Sequence, residues 1–152
     1  MIKWQWVLFD ELSLNELYDI MKVRQAVFTV EQDCPYQDAD GLDQFSWHLV
    51  GWHEHSGEQK VAAYLRVVFP DKKYPEPSIG RVLTAEQARG TGLGKVLIRE
   101  AITHVVDEYP DAAVRISAQQ HLEKFYSEFG FKTVSEPYDE DGIPHIEMLR
   151  QK

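Results

Sequence analysis

The sequence predicts a mixed α/β fold, one sheet with helices packed on it. Three observations carry this prediction. Short stretches with apolar residues at period two interleave with stretches of helical spacing along the whole chain. Their order is strand, helix, three strands, helix, strand, helix, and a closing strand or strands, a layered plan rather than a bundle or a sandwich. With 152 residues, 43% of them hydrophobic and 12% aromatic, the chain has the length and apolar content of one domain spanning residues 1–152.

The elements follow in order. Residues 3 to 9 alternate Trp4 and Trp6 against Lys3 and Gln5 and stop at Asp10, the pattern of a strand with one buried face. Ser13 stands three residues before Glu16, a capping-box spacing, and Leu14, Leu17, Ile20, Met21, Val23, Val27 and Phe28 then make one apolar stripe of a long helix. Residues 31 to 43 hold Cys34-Pro35 and Asp40-Gly41 without periodicity and predict a loop long enough to suggest function. Residues 47 to 53 and 61 to 69 read as strands of a hairpin turning at His55-Ser56-Gly57. Residues 78 to 83 form a short strand. Leu93, Val96, Leu97, Ala101, His104 and Val105 then predict a helix that exits at Pro110. Residues 113 to 117 are a buried strand, residues 119 to 129 a compact helix stopped by Gly130, and residues 143 to 149 a last strand.

Composition excludes several functions. Sixteen basic against 25 acidic residues give a formal net charge of −9, which disfavours nucleic acid as a partner and would draw in a cation, although surplus carboxylates also serve solubility. Charge interrupts every apolar run before the roughly 20 residues a membrane helix needs, and Asp10 and Glu11 come too early for a secretory leader. The lone Cys34 has no internal disulfide partner, so a reducing, cytoplasmic setting is expected. Oligomeric state stays open, a homodimer included.

Chemistry concentrates at Arg89-Gly90-Thr91-Gly92-Leu93-Gly94, between a predicted strand and a predicted helix. Unpaired amides and the helix dipole favour an anion there, and glycines let it approach. Arg81, Arg89, Lys95 and Arg99 add positive charge locally. A P-loop would need glycine where Arg89 stands and a hydroxyl where Val96 stands, and the dinucleotide fingerprint would need glycine at Lys95. A turn that merely packs helix on strand is the plainer alternative. His53-Glu54-His55 and Asp38-Ala39-Asp40-Gly41 lack the spacings of zinc and calcium motifs, so no metal is expected.

At Gln87-Ala88-Arg89-Gly90-Thr91-Gly92 the chain resembles the GNAT superfamily of N-acetyltransferases, whose cofactor motif is Gln/Arg-x-x-Gly-x-Gly/Ala. A second element matches about 30 residues on, from Gln119 through Phe125-Tyr126 to Gly130-Phe131, with Gln119 and Leu122 where many relatives carry Asn and Ala. Val27-Phe28, Val30-Glu31-Gln32, Cys34-Pro35-Tyr36, Asp40-Gly41-Leu42-Asp43, His48-Leu49 and Asp141-Gly142-Ile143-Pro144-His145 resemble the ElaA-like branch. The resemblance implies a mostly antiparallel mixed sheet with helices on both faces. It implies acetyl-CoA as acyl donor, a small-molecule or peptide primary amine as acceptor, and direct transfer in a ternary complex. Cofactor contacts fall to Val82, Leu83, Gln87, Arg89, Gly90, Thr91, Gly92, Leu93, Gly94, Lys95 and Gln119.

The chemistry of transfer sets further expectations. A protonated amine has no free lone pair, so a proton acceptor is required, and developing oxyanion charge calls for an amide donor, which the resemblance places around Val82 and Leu83. By family position Tyr126 is the general acid for the leaving thiolate; its alternative is a core aromatic beside Leu122 and Phe129. His48, His145 and Glu31 are candidate bases, each also readable as an ordinary structural group. Cys34 reads as a packed thiol rather than a covalent nucleophile. Two rivals are a non-catalytic acyl-CoA-binding or regulatory module and a homoserine lactone synthase, which Arg24-Gln25-Ala26-Val27-Phe28 faintly resembles.

Overall fold

Ser13 opens the first helix as its spacing predicts. Its hydroxyl accepts the Glu16 N–H at 3.1 Å, while Glu16 Oε1 accepts the Ser13 N–H at 2.8 Å, so two amides the helix itself cannot satisfy are paired. This is a computed structural model describing residues 1–152. Helix α1 (Leu14–Arg24) continues as wider π-type turns over Gln25–Glu31. The N–H groups of Gln32 and Cys34 reach back five residues, to the carbonyls of Val27 and Thr29. Ahead of α1 runs β1 (Ile2–Leu8), and beyond the loop come β2 (Ser46–His55) and β3 (Glu58–Val68). Their hairpin turns on Ser56 (φ 53°) and Gly57 (φ 79°), a two-residue turn whose backbone matches strand twist.

The second half holds β4 (Ser78–Thr84), α2 (Leu93–Glu108), β5 (Val114–Gln119), α3 (Glu123–Ser127), β6 (Lys132–Thr133), β7 (Tyr138–Glu140) and β8 (Ile143–Arg150). The eight strands form one mixed sheet in the order β1-β2-β3-β4-β5-β8-β6, with β7 also on β8. Every pairing is antiparallel except β4 with β5.

Period-two alternation sorts the strand residues to two faces. Leu49, Leu65, Val67, Ile116 and Ile146 join Leu97, Ile98, Ala101 and Val105 of α2 in the larger core, with Tyr126 and Phe131. Val50, Trp52, Val61, Tyr64 and Leu83 face the other way, onto Ile20 and Val27. Helices therefore cover both faces. Each fully buried Leu or Ile contributes about 1.5–3 kcal/mol, so the α2 stripe holds that helix firmly against the sheet.

The structure departs from the sequence reading in the last third. Gln119 ends β5, and α3 is one and a half turns long, not a helix from residue 119 to 129. Its end is as expected: Gly130 takes φ 90°, and Phe131 N–H returns to the Tyr126 carbonyl. Strands β6 and β7 were not predicted, because two and three residues are too short to show alternation.

Candidate active site

Strands β4 and β5 lie side by side for only two residue pairs, Ser78 with Arg115 and Ile79 with Ile116. Past Ile79 they part. Strand β4 keeps β3 on its other edge, and β5 keeps β8, so the edges facing the fork present main-chain N–H and C=O groups with no strand partner. Val82 and Leu83 lie on one arm and Ser117, Ala118 and Gln119 on the other. An extended ligand carrying amides could pair with either edge.

A bulge opens the fork. Between the pairs Tyr64–Leu83 and Arg66–Gly80, Leu65 faces both Arg81 and Val82, and such an extra residue bends and twists its strand. Arg81 takes φ 52° there, a left-handed conformation that costs a non-glycine residue about 1–2 kcal/mol. Its side chain supplies the compensation. Nε lies 2.8 Å from Asp38 Oδ1 as an ion contact poorly angled for a hydrogen bond, while Nη2 donates to the Asp38 carbonyl (3.0 Å) and Asp40 Oδ2 (3.3 Å).

Asp38 belongs to a buried ionic cluster on the α1 face. Arg24 reaches Asp38 (2.8 Å) and Asp43 (2.7 Å), and Arg66 reaches Asp43 (3.0 Å) and Asp40 (2.6 Å). Three guanidiniums and three carboxylates thus pin the loop after α1 to the sheet. Burial by itself would raise Asp43 and Asp40, but the arginine hydrogen bonds and charges outweigh it and hold both carboxyls below the usual range. His48 is built into this cluster. It is 1% exposed; Nε2–H donates to the Asp43 carbonyl (2.9 Å), and Nδ1 accepts the Tyr64 hydroxyl (2.7 Å). Burial, with Arg24 and Arg66 adding to it, pushes its pKa below the ordinary histidine value. His48 lines no part of the fork, and both ring nitrogens are engaged, so it has no access to an amine.

Beyond β4, at the entry to α2, lies the glycine turn. Gly90 and Gly92 both take left-handed φ, 81° and 78°, and a methyl group added to either would touch no protein atom within 4 Å. Backbone conformation rather than packing demands glycine here, and the space beside it is open. The main-chain N–H groups of Gly90, Thr91, Gly92, Leu93, Gly94 and Lys95 donate to no protein acceptor. They sit at the N-terminus of the sixteen-residue α2, where the helix dipole adds to their pull on an anion. Leu93 is buried and anchors the turn, while Thr91 Oγ1–H is spent on the Ala88 carbonyl (2.8 Å). Arg89 is clamped by both oxygens of Glu31 (2.8 and 3.1 Å), and Lys95 faces Glu128 at 3.3 Å. Glu31 therefore ties the end of the first helix to the turn and lies outside the fork; Gln87 sits near it, on a second, broader groove.

The cleft beside the fork encloses about 170 Å³. Val82, Gln119, Tyr126 and His145 all line it, as do Ile79, Ile116 and Leu122. Tyr126 is 6% exposed, burial pushes its phenol up to about 12, and its hydroxyl has no protein partner. It stays protonated at neutral pH and free to donate. His145 donates Nδ1–H to the Ile143 carbonyl (2.7 Å), and its Nε2 lies 3.4 Å from Glu140 Oε2. Ser117 Oγ touches both Glu140 Oε1 (3.2 Å) and the Tyr138 hydroxyl. Cys34 Sγ lies 3.8 Å from the Asp141 carbonyl in the same wall.

Of the sequence-predicted site residues, Tyr126, His145, Gln119 and Val82 line the cleft, Leu83 lies on the same arm of the fork as Val82, and the glycine turn follows β4 at the N-terminus of α2. Glu31 and His48 fall elsewhere. Sequence reasoning missed Glu140, Ser117 and Tyr138, which meet only through strand pairing, and the role of Asp38 at Arg81.

Residues 50–152 match the model of an acetyltransferase (GNAT) domain. Protein ElaA of Escherichia coli is 42% identical over 153 residues, covering 99% of this chain and 97% of that protein. A UPF0039 protein of Synechocystis is 47% identical over 148 residues, covering 97% and 94%. Among solved structures, an acyl-CoA N-acyltransferase of Pseudomonas aeruginosa superposes with a TM-score of 0.92 at 41% identity over 99% of each chain. The crystal structure of E. coli ElaA gives 0.90 at 41%, over 99% of this chain and 100% of that one.

Proposed function

The chain belongs to the GNAT acetyltransferase family, in its ElaA-like branch, and from that premise we propose that it moves an acetyl group from acetyl-CoA to a primary amine by direct transfer in a ternary complex. One observation carries this reading: six unpartnered amides stand at a helix N-terminus a few residues beyond β4, itself one arm of a fork between two strands whose inner edges are free. The amides of residues 90–95 suit a pyrophosphate, and the free edges of β4 and β5 suit an extended arm bearing amides. The helix of α2 points its dipole at the first, and a β-strand rise of about 3.3 Å per residue makes the open arm of β4 long enough for the second.

When bound, the donor supplies an activated thioester. The chain does the rest. A main-chain N–H of β4 around Val82 and Leu83 stabilises charge on the acyl oxygen. Tyr126 gives its proton to the leaving sulfur, and His145 accepts one from the amine. The 170 Å³ cleft, shared by acyl group and amine, favours a short acyl chain. The lone cysteine Cys34 and the use of CoA suit the cytoplasm; no helix is long and apolar enough to cross a membrane.

Calorimetric titration of acetyl-CoA, followed by measurement of free CoA released across a panel of amines, tests the proposal. An enzyme binds and releases CoA above background with at least one amine. Binding without release on any amine would identify a non-catalytic acyl-CoA module instead.

A further inference from the structure

Two acceptors face each other in the wall of the cleft. A carbonyl can only accept, so the 2.7 Å contact to Ile143 fixes a proton on His145 Nδ1. In the neutral ring Nε2 then carries a lone pair, and this atom lies 3.4 Å from Glu140 Oε2. A lone pair set against a carboxylate is favourable only with a proton or a cationic N–H between them. Glu140 is held in that pose from its other side. Tyr138 donates to Ser117 Oγ, and Ser117 donates to Glu140 Oε1 at 3.2 Å.

The position matters as much as the pair. Ser117 is the first residue of β5 beyond its last pairing with β4, so the chain Tyr138–Ser117–Glu140–His145 is anchored at the apex of the fork. Tyr126 opens an unpartnered hydroxyl onto the same cleft while the rest of the residue is buried. The other titratable groups lining it are Cys34, Tyr36, Asp38, Lys73, Arg81 and Asp141. Asp38 and Arg81 are taken up in the ionic cluster with Arg24 and Asp40, and Glu140 is the carboxylate that reaches His145.

Resting on the acyl-transfer reading, we propose that Glu140 and His145 form the acceptor site for a primary ammonium, with Ser117 and Tyr138 positioning Glu140. The ammonium donates to Glu140 Oε2 and passes one proton to His145 Nε2. The freed nitrogen lone pair attacks the acyl carbon; the C–N bond forms and the C–S bond breaks. Tyr126 protonates the departing sulfur, and the second proton leaving the nitrogen restores the Tyr126 hydroxyl. The imidazolium, its Nε2–H paired with Glu140, returns its proton to solvent. A carboxylate on the carbon beside the amine would be set against Glu140. The acceptor class is therefore an alkylamine, a diamine, a lysine side chain or an amino acid amidated at its carboxyl, rather than a free α-amino acid.

Kinetics on the full chain with acetyl-CoA test this, using butylamine, 1,4-diaminobutane, alaninamide, free alanine, and hydroxylamine, whose nitrogen is already neutral at pH 7. Glu140→Gln should raise KM for butylamine at least about tenfold, the loss of a charge-assisted contact. His145→Gln should lower kcat with butylamine by about 10²-fold, the loss of a base. Both should keep acetyl-CoA affinity within about twofold and lose little hydroxylamine transfer, since neither seat nor base is then needed. Alaninamide should be preferred over alanine. An unchanged butylamine KM in Glu140→Gln, equal loss with hydroxylamine and butylamine, or alanine used as well as alaninamide would each overturn the pair while leaving acyl transfer standing. Wild-type protein that binds acetyl-CoA and transfers to none of these nucleophiles would take down both.

Discussion

Arg81 offers a perturbation whose magnitude can be worked from two opposed terms. Substitution by alanine or by glycine removes the same contacts, to Asp38 at 2.8 and 3.0 Å and to Asp40 at 3.3 Å. Asp38 stays buried with Arg24 as its remaining partner, so both variants should lose about 1–3 kcal/mol relative to wild type. They differ at the backbone. Alanine keeps the strain of φ 52°, about 1–2 kcal/mol, whereas glycine relieves it but loses about 0.4–1 kcal/mol through its freer unfolded chain. The net expectation is that Arg81→Gly is more stable than Arg81→Ala by about 0.8 kcal/mol, within a span of about 0–1.6 kcal/mol, or roughly 2–3 °C in Tm at the centre. Paired thermal and urea unfolding of the two variants measures this difference, and calorimetry should find acetyl-CoA binding weakened in both. If Arg81→Ala equals or exceeds Arg81→Gly in stability, the bulge is not held in strain by its side chain, and the account of how the fork is kept open fails.

Three further outcomes are expected. Tyr126→Phe should lower kcat by about 10²-fold with acetyl-CoA affinity within about twofold, as loss of a general acid does; unchanged kcat in steady-state assays would reject the role. His48 has a folded pKa below its ordinary value, so as pH falls below about 6.5 the unfolded chain takes up a proton that the folded state resists, and stability drops by up to about 1.4 kcal/mol per pH unit. Urea unfolding of His48→Gln between about pH 7 and 3 should show that slope flattened above about pH 5, whereas the loss below about pH 4, where Asp40 and Asp43 must protonate on unfolding, should persist. Leu97, fully buried on α2, should cost about 2–5 kcal/mol as Leu97→Ala, read from chemical denaturation.

What could be read from the chain was what is encoded locally. The Ser13–Glu16 cap, the Ser56-Gly57 hairpin and the Gly90 and Gly92 turn each lie within a few residues, and each has a side-chain requirement that shows in sequence. The family motif at residues 87–92 rests on such a turn. The bulge at Arg81 was invisible because arginine has no preference for positive φ; ion pairs with Asp38 and Asp40, more than 40 residues away in the chain, impose it. Glu140 was invisible for a related reason, since its partner Ser117 sits 23 residues earlier on another strand, and three-residue β7 gave no alternation to place it. His48 has the ordinary chemistry of a base, and only the fold, by enclosing it between Asp43 and Tyr64, removes it from the cleft.

In the proposed function the main-chain amides of residues 90–95 receive the donor's pyrophosphate. Amide-resolved 15N–1H NMR during titration with CoA measures those groups one by one. Saturable downfield shifts at Gly90, Thr91, Gly92, Leu93, Gly94 and Lys95, absent with pantetheine alone, are the predicted result. CoA binding that leaves these resonances where they stood would contradict the account.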